Sequence, residues 1–262
     1  MLALKLFLVP TFLLLLSLAG KRWGPDVAGW LAGLPLVTGP ILFFLALDHG
    51  VMFASGAASS AISAVSALIS FSVAYAHVSQ WSRWPAAVLA GLLAWAAVAW
   101  LLSLLPMSPF LACLVAVGTL SVAKHLFPSV GALAAGRTTS AQEVGLRMVA
   151  GALLTVSVTL VAGALGSQWS GLLSVFPVMG LVLAVFTHRG QGASCVASLL
   201  RAMSTGLYSS SSFCLCLALT LPHLGIPASF VLSTALVAGV QSFTRKRLAS
   251  GASAPSVVPV KP

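Results

Sequence analysis

The sequence predicts an all-α polytopic membrane protein. The expected architecture is about nine transmembrane helices in two inverted four-helix repeats joined by a central helix, with a broken helix in each repeat. Three observations predict it. The first is composition: 59% of residues are hydrophobic and only 6% charged, with a mean hydropathy of +1.07. An ordinary soluble domain is about 45–50% apolar and about 25% charged. Such a chain cannot cover itself with polar surface, so lipid must be its solvent. The second observation is a series of apolar runs of membrane-crossing length. The third is a similarity between the two halves of the chain.

The runs come in order along the chain. Crossing a hydrocarbon core takes about 20 apolar residues, and nine stretches qualify: roughly 2–19, 27–47, 51–76, 85–105, 107–126, 146–166, 169–187, 193–221 and 225–243. The first resembles a signal peptide. No A-x-A-like cleavage site follows it, however, and Lys21-Arg22 act as stop-transfer charges. The second contains GLPLVTGP at 33–40, two prolines and two glycines inside a membrane span. The loop 127–144 is rich in Gly, Ser and Thr, and the tail 249–262 is rich in Pro and Ser. The organisation that follows is a first membrane repeat at 1–105, a linking helix and cytoplasmic loop at 106–143, a second repeat at 144–247, and a disordered cytoplasmic tail at 248–262.

The net charge is +10. It does not indicate a nucleic-acid partner, because the basic residues lie scattered between apolar runs and form no basic face. They sort by side instead. Alternate loops carry Lys21 and Arg22; Arg83; Lys124, Arg137 and Arg147; Arg189; and Arg245, Lys246, Arg247 and Lys261, while the opposite side has Lys5. Lysine and arginine concentrate in cytoplasmic loops. The nine-span reading therefore puts the N-terminus outside and the C-terminus in the cytoplasm.

The halves align without gaps at an offset of 142. GWLAGLPLVTGPILFFLALDHG (29–50) meets GLLSVFPVMGLVLAVFTHRGQG (171–192), with Gly29 on Gly171, Pro35 on Pro177, Phe44 on Phe186 and Gly50 on Gly192. Spans one to four fall on spans six to nine. Five spans precede the second unit, so it starts from the opposite side of the membrane and the repeat is inverted. Inverted repeats with discontinuous helices near the midplane are characteristic of secondary transporters. Proline lacks an N–H and clashes with the preceding turn. Freed backbone groups are tolerated at membrane depth only where protein or a water-filled cavity satisfies them. Pro35, Thr38, Gly39 and Pro177 are therefore candidate substrate-binding positions. The alternative is a pair of plain kinks accommodated by neighbouring helices.

Each repeat also carries a polar stripe. Ser55, Ser59, Ser63, Ser66 and Ser70 share one helical face, as do Ser194, Ser198, Arg201, Thr205, Tyr208 and Ser212. The serines read as small residues for close helix packing, with a hydrophilic lining as the alternative. Arg201, Thr205 and Tyr208 are expected to contact substrate. Arg201 is an ionisable residue in a membrane span, or a snorkelling one at its edge. Asp48 and His49 end span two, and His188 and Arg189 end span seven. With Gln191 they are candidates for coupling or gating, the alternative being interfacial end-caps.

The three carboxylates in the whole chain are Asp26, Asp48 and Glu143. There is no P-loop, HExxH or GxSxG, so the chain is not expected to be an enzyme. The cysteines Cys113, Cys195, Cys214 and Cys216 lack metal-site spacing and read as small buried hydrophobes. No metal and no cofactor are expected. The two aligned segments, with the polar-faced helix after each, resemble an uncharacterised family of bacterial multi-spanning inner-membrane proteins with a duplicated organisation. The resemblance covers about residues 1–245 and implies a bacterial inner-membrane location, without a substrate. The expected function is a small secondary transporter or permease. The alternative is a non-transporting membrane scaffold or assembly partner. The expected partners are the lipid bilayer, a small solute and a coupling ion, and a homo-oligomer remains open.

Overall fold

In a computed structural model the described residues are 2–105, 108–129, 140–164 and 176–252. They form nine helices and, among themselves, no strand. These are α1 (Leu2–Trp23), α2 (Pro25–Ala32), α3 (Thr38–His49), α4 (Val51–Val78), α5 (Trp84–Ser103), α6 (Pro109–Leu126), α7 (Ala141–Ala164), α8 (Val178–Gln191) and α9 (Ala193–Ala252). Six of them, α1, α4, α5, α6, α7 and α9, are long and apolar enough to cross a membrane. The chain is a multi-pass membrane protein.

Local chemistry sets the boundaries. Proline opens α2, α5 and α6, where its missing N–H costs nothing. Ser108 caps α6 by accepting a hydrogen bond from the Leu111 N–H. Ser140 caps α7 by accepting one from the Glu143 N–H at 3.1 Å. Among the described residues four glycines take positive φ, Gly24, Gly50, Gly192 and Gly225, a region that side chains disfavour. Gly50 joins α3 to α4 with almost no connecting chain, and Gly192 does the same for α8 and α9.

Set against the nine predicted spans, the helices are interrupted or only partly described at three places. The 27–47 run is two short helices, α2 of 8 residues and α3 of 12, because Pro35 lies between them without an amide hydrogen to donate. The runs 193–221 and 225–243 are two helical legs, numbered together as α9, that meet end to end at non-helical Gly225 (φ 71°, ψ −177°) between Pro222 and Pro227. Its apolar stretch of 51 residues would reach roughly 75 Å if straight, more than twice the ~30 Å core. The turn divides it into two legs. Of the 169–187 run, 169–175 lies outside the described residues, and α8 begins at Val178. Helix α9 also continues to Ala252, into the stretch expected to be disordered; the rest of that tail lies outside the described residues.

Helix α4 is the centre of the bundle. Ile62, Phe71 and Tyr75 are fully buried along it. It runs antiparallel to the first leg of α9. Ser55 donates to the Ala218 carbonyl at 2.7 Å, while Phe71 and Met203 both reach Gly180 on α8. Helices α1 and α7 are also antiparallel, with Ser17 beside Arg147 and Leu13 against Gly151. Large apolar side chains such as Phe7, Leu93, Leu153 and Val231 cover the outside, as expected of a surface facing lipid.

Candidate functional site

The two proline segments make the same backbone pattern. At the first, the Leu36 N–H donates to the Leu34 carbonyl at 2.8 Å and the Gly39 N–H to the Pro35 carbonyl at 2.8 Å. At the second, the Val178 N–H donates to the Phe176 carbonyl at 2.8 Å and the Leu181 N–H to the Pro177 carbonyl at 2.8 Å. Each pair is a tight three-residue turn centred on the proline, followed by the first hydrogen bond of a new helix. Farther on, the Ala54 N–H bonds to the Gly50 carbonyl and the Val196 N–H to the Gly192 carbonyl, both at 3.2 Å.

Both segments border one cavity of about 1170 Å³. Gly33, Leu34, Val37 and Thr38 line it from the α2–α3 turn, and Phe176, Pro177, Val178 and Met179 from the start of α8. Helix α4 contributes Ser59, Ser60, Ser63 and Ala64, and α9 contributes Met203, Leu207 and Ser210. Val9 and Thr155 close it from α1 and α7. Lining hydroxyls bond mostly to their own helices. Ser59 donates to the Ser55 carbonyl (3.0 Å), Ser60 to Gly56 (3.1 Å) and Thr155 to Gly151 (2.8 Å).

The floor of the cavity is a seam between α2 and α9. Gly29 lies against the Leu199 carbonyl, and Gly33 and Gly206 lie against each other, with the Trp30 carbonyl on Gly206. Beyond this seam the bundle becomes polar. Arg147 is buried; it pairs with Glu143 at 2.8 Å and reaches Ser17 at 3.4 Å. Ser198 donates to Asp26. A void of about 10 Å³ remains there, beside Ser17, Arg147, Thr187 and Gln191, room for about one water.

The sequence-selected residues divide into three groups. Thr38 and Pro177 line the cavity, whereas Pro35 is half-buried behind its turn and Gly39 packs on the Phe213 ring. Arg201, Thr205 and Tyr208 are not among the lining residues. Arg201 donates to the Pro128 carbonyl at 2.5 Å, Thr205 to the Arg201 carbonyl at 3.4 Å, and Tyr208 shares a hydrogen bond with Ser121 of α6 at 3.4 Å. The Arg201–Tyr208 part of the α9 stripe therefore faces α6 and the chain just after it, not the cavity. The third group is split between the two ends of the bundle. His188 contacts the Tyr75 hydroxyl through Nδ1 at 3.4 Å, Arg189 lies over the Trp84 ring, and Gln191 borders the small void. Asp48 and His49 are exposed at the far end, on the last turn of α3.

Sequence reasoning missed three features. The Glu143–Arg147 pair was visible as an i,i+4 spacing. The Asp26–Ser198 contact joins residues far apart in the chain and left no local signal. Met203, Leu207 and Ser210 form a second face of α9 whose mixed composition matches no simple pattern. Among the described residues no cluster of His, Cys, Asp or Glu could hold a metal ion, and all four cysteines are free thiols. No protein-family model, curated protein or solved structure matches the chain.

Proposed function

We propose that the protein is a small secondary transporter or permease whose site is the cavity between the two proline turns. The observation that carries this reading is the joint position of 33–38 and 176–179 on one large cavity. Two discontinuities meeting at a cavity is how transporters expose backbone groups to substrate within the membrane.

The inverted duplication is part of the proposal, and the geometry supports it. At the offset of 142 the hydrogen bonds of the first turn become those of the second, atom for atom. Positive-φ Gly50 falls on positive-φ Gly192, and Gly225 falls on Arg83, the non-helical residue just before α5. The antiparallel pairs α1 with α7 and α4 with the first leg of α9 are equivalent helices, and equivalent helices of an inverted repeat run in opposite directions. The charged residues Lys21, Arg22, Lys124, Arg147 and Arg189 belong to the end that the Arg147–Glu143 pair closes. We assign that end to the cytoplasm by the positive-inside rule, in the bacterial inner membrane that the resemblance implies. In this reading His188, Arg189 and Gln191 act at the cytoplasmic gate and Asp48 and His49 at the outer mouth. Arg201 has no substrate contact, because its guanidinium is engaged by main-chain carbonyls.

The test is cysteine accessibility in the full chain without its four native cysteines. Single cysteines at Thr38, Ser63 and Val178 should react with small membrane-impermeant thiol reagents from one side of the membrane. A cysteine at Thr205, which faces away from the cavity, should stay inert. Inert cysteines at all three lining positions in folded protein would overturn the transport reading in favour of a scaffold.

A further inference from the structure

We propose that the cavity binds an uncharged chain-like amphiphile, a hydrocarbon tail ending in a hydroxyl-class head, and not an ionic or sugar-like solute. This rests on the transport reading and names the substrate class of that same site.

Charge is the first argument. Among the described residues, those lining the cavity include no Asp, Glu, Lys, Arg or His. An ion entering such a site gives up its hydration and meets no counter-charge, at a cost of several kcal/mol or more. The nearby arginines on the surrounding helices do not compensate. Arg147 is held by Glu143 and Ser17 beyond the α2–α9 seam, and Arg201 is bonded to the Pro128 carbonyl on the α6 side.

Hydrogen-bonding capacity is the second argument. A sugar-like solute needs several donors and acceptors arranged around it. The protons of Ser59, Ser60, Ser103 and Thr155 already lie on carbonyls of their own helices. Thr38 and Ser210 both line the cavity, and their hydroxyls make no hydrogen bond among the described residues. Either offers a place for a polar head. The remaining wall is mainly apolar, including Leu34, Val37, Leu68, Met179 and Met203, and methionine adapts to an irregular or flexible chain. Size is the third argument. A volume of about 1170 Å³ exceeds the ~300–1,000 Å³ usual for drug-sized ligands and accommodates an extended chain.

The experiment is photolabelling of the full chain in lipid nanodiscs. One probe is hexadecanol carrying an aliphatic diazirine, and the other is the fatty acid of the same length carrying the same group. Adducts are mapped by peptide mass spectrometry. The alcohol should label the peptides containing Ser63 and Val178, and excess unlabelled hexadecanol should suppress that labelling. The carboxylate probe should label them at least about tenfold less, the ratio expected when an unpaired charge costs 1.4 kcal/mol or more. Adducts at outward-facing Leu153 should occur with both probes and resist competition. Ser63→Trp should abolish the competable labelling. Thr38→Val, a near-isosteric change that keeps the fold testable, should lower it about threefold or more, the loss of one hydroxyl contact. No competable cavity adducts, or equal labelling by the carboxylate, would overturn the inference. The accessibility result separates the two claims. Reactive cavity cysteines without hexadecanol adducts leave transport standing and remove this substrate class. Inert cysteines remove both.

Discussion

The two halves of the bundle's interior, above and below the α2–α9 seam, are built on opposite rules. Below it, polar groups are numerous and paired: Arg147 with Glu143 and Ser17, Asp26 with Ser198. Helices there approach until backbones touch, and the void left over is about 10 Å³. Above it, the described lining residues carry no ionisable group, and about 1170 Å³ is open between the helices. The difference separates two tasks. Close packing with paired charges fixes helix positions and leaves no opening. A loosely filled, uncharged space leaves room for something to move. The transport reading proposed above needs both, and the seam is where they meet.

The strongest way to break this comparison is to force the seam apart. A Cβ on Gly206 would overlap the Trp30 carbonyl oxygen and the Gly33 backbone. Neither can turn aside as a flexible side chain could. Gly206→Leu should therefore destabilise by about 3 kcal/mol or more and leave little monodisperse protein by size-exclusion chromatography in detergent. Recovery of normal, heat-stable protein would mean that the seam is loose.

The next largest effect should come from the ion pair. The Arg147 side chain is 5% exposed and that of Glu143 is 28% exposed. Glu143→Gln keeps the shape and leaves a buried arginine without its counter-charge. The usual penalty for breaking a buried pair is about 3–5 kcal/mol. Partial exposure of Glu143 reduces this to about 2 kcal/mol, read as a lower thermal unfolding midpoint. Removing both charges, as Glu143→Leu with Arg147→Met, should recover most of the loss. A double variant as unstable as Glu143→Gln would mean that the effect is not one of charge pairing.

What the sequence made legible follows the same division. Helices α4, α5 and α6 lie within two or three residues of the runs 51–76, 85–105 and 107–126, because in lipid a helix needs only length and hydropathy. The turn at 33–37 was legible because Pro35 removes an amide hydrogen wherever it falls. The stripe from Arg201 to Tyr208 shows the limit. Spacing fixed which residues share a face of α9, but not which neighbour that face meets. That depended on α6 packing beside α9, where Ser121 and the Pro128 carbonyl receive Tyr208 and Arg201. The cavity face, Met203, Leu207 and Ser210, lay a fraction of a turn away. The outward carbonyl contacts of Arg201 and the tertiary contact of Asp26 with Ser198 depend on chain segments that no local pattern connects.

The smallest effect is the finest test, and it lies within one helix. Ser59 and Ser72 both sit on α4, and each donates to the carbonyl four residues back, at 3.0 and 2.8 Å. Their hydrogen bonds are alike, so replacing either with valine removes the same interaction. Their surroundings differ. Ser59 borders the cavity, while Ser72 is fully buried at 0% exposure. The added methyl group of Ser59→Val enters open space, and stability should change by less than about 0.5 kcal/mol. At Ser72 the same group must displace close-packed neighbours, at a cost of about 1–3 kcal/mol. Denaturation of the two variants in one detergent would measure the contrast directly. Equal costs would mean that the space beside Ser59 is filled in the folded protein and that the two halves of the interior are not built differently.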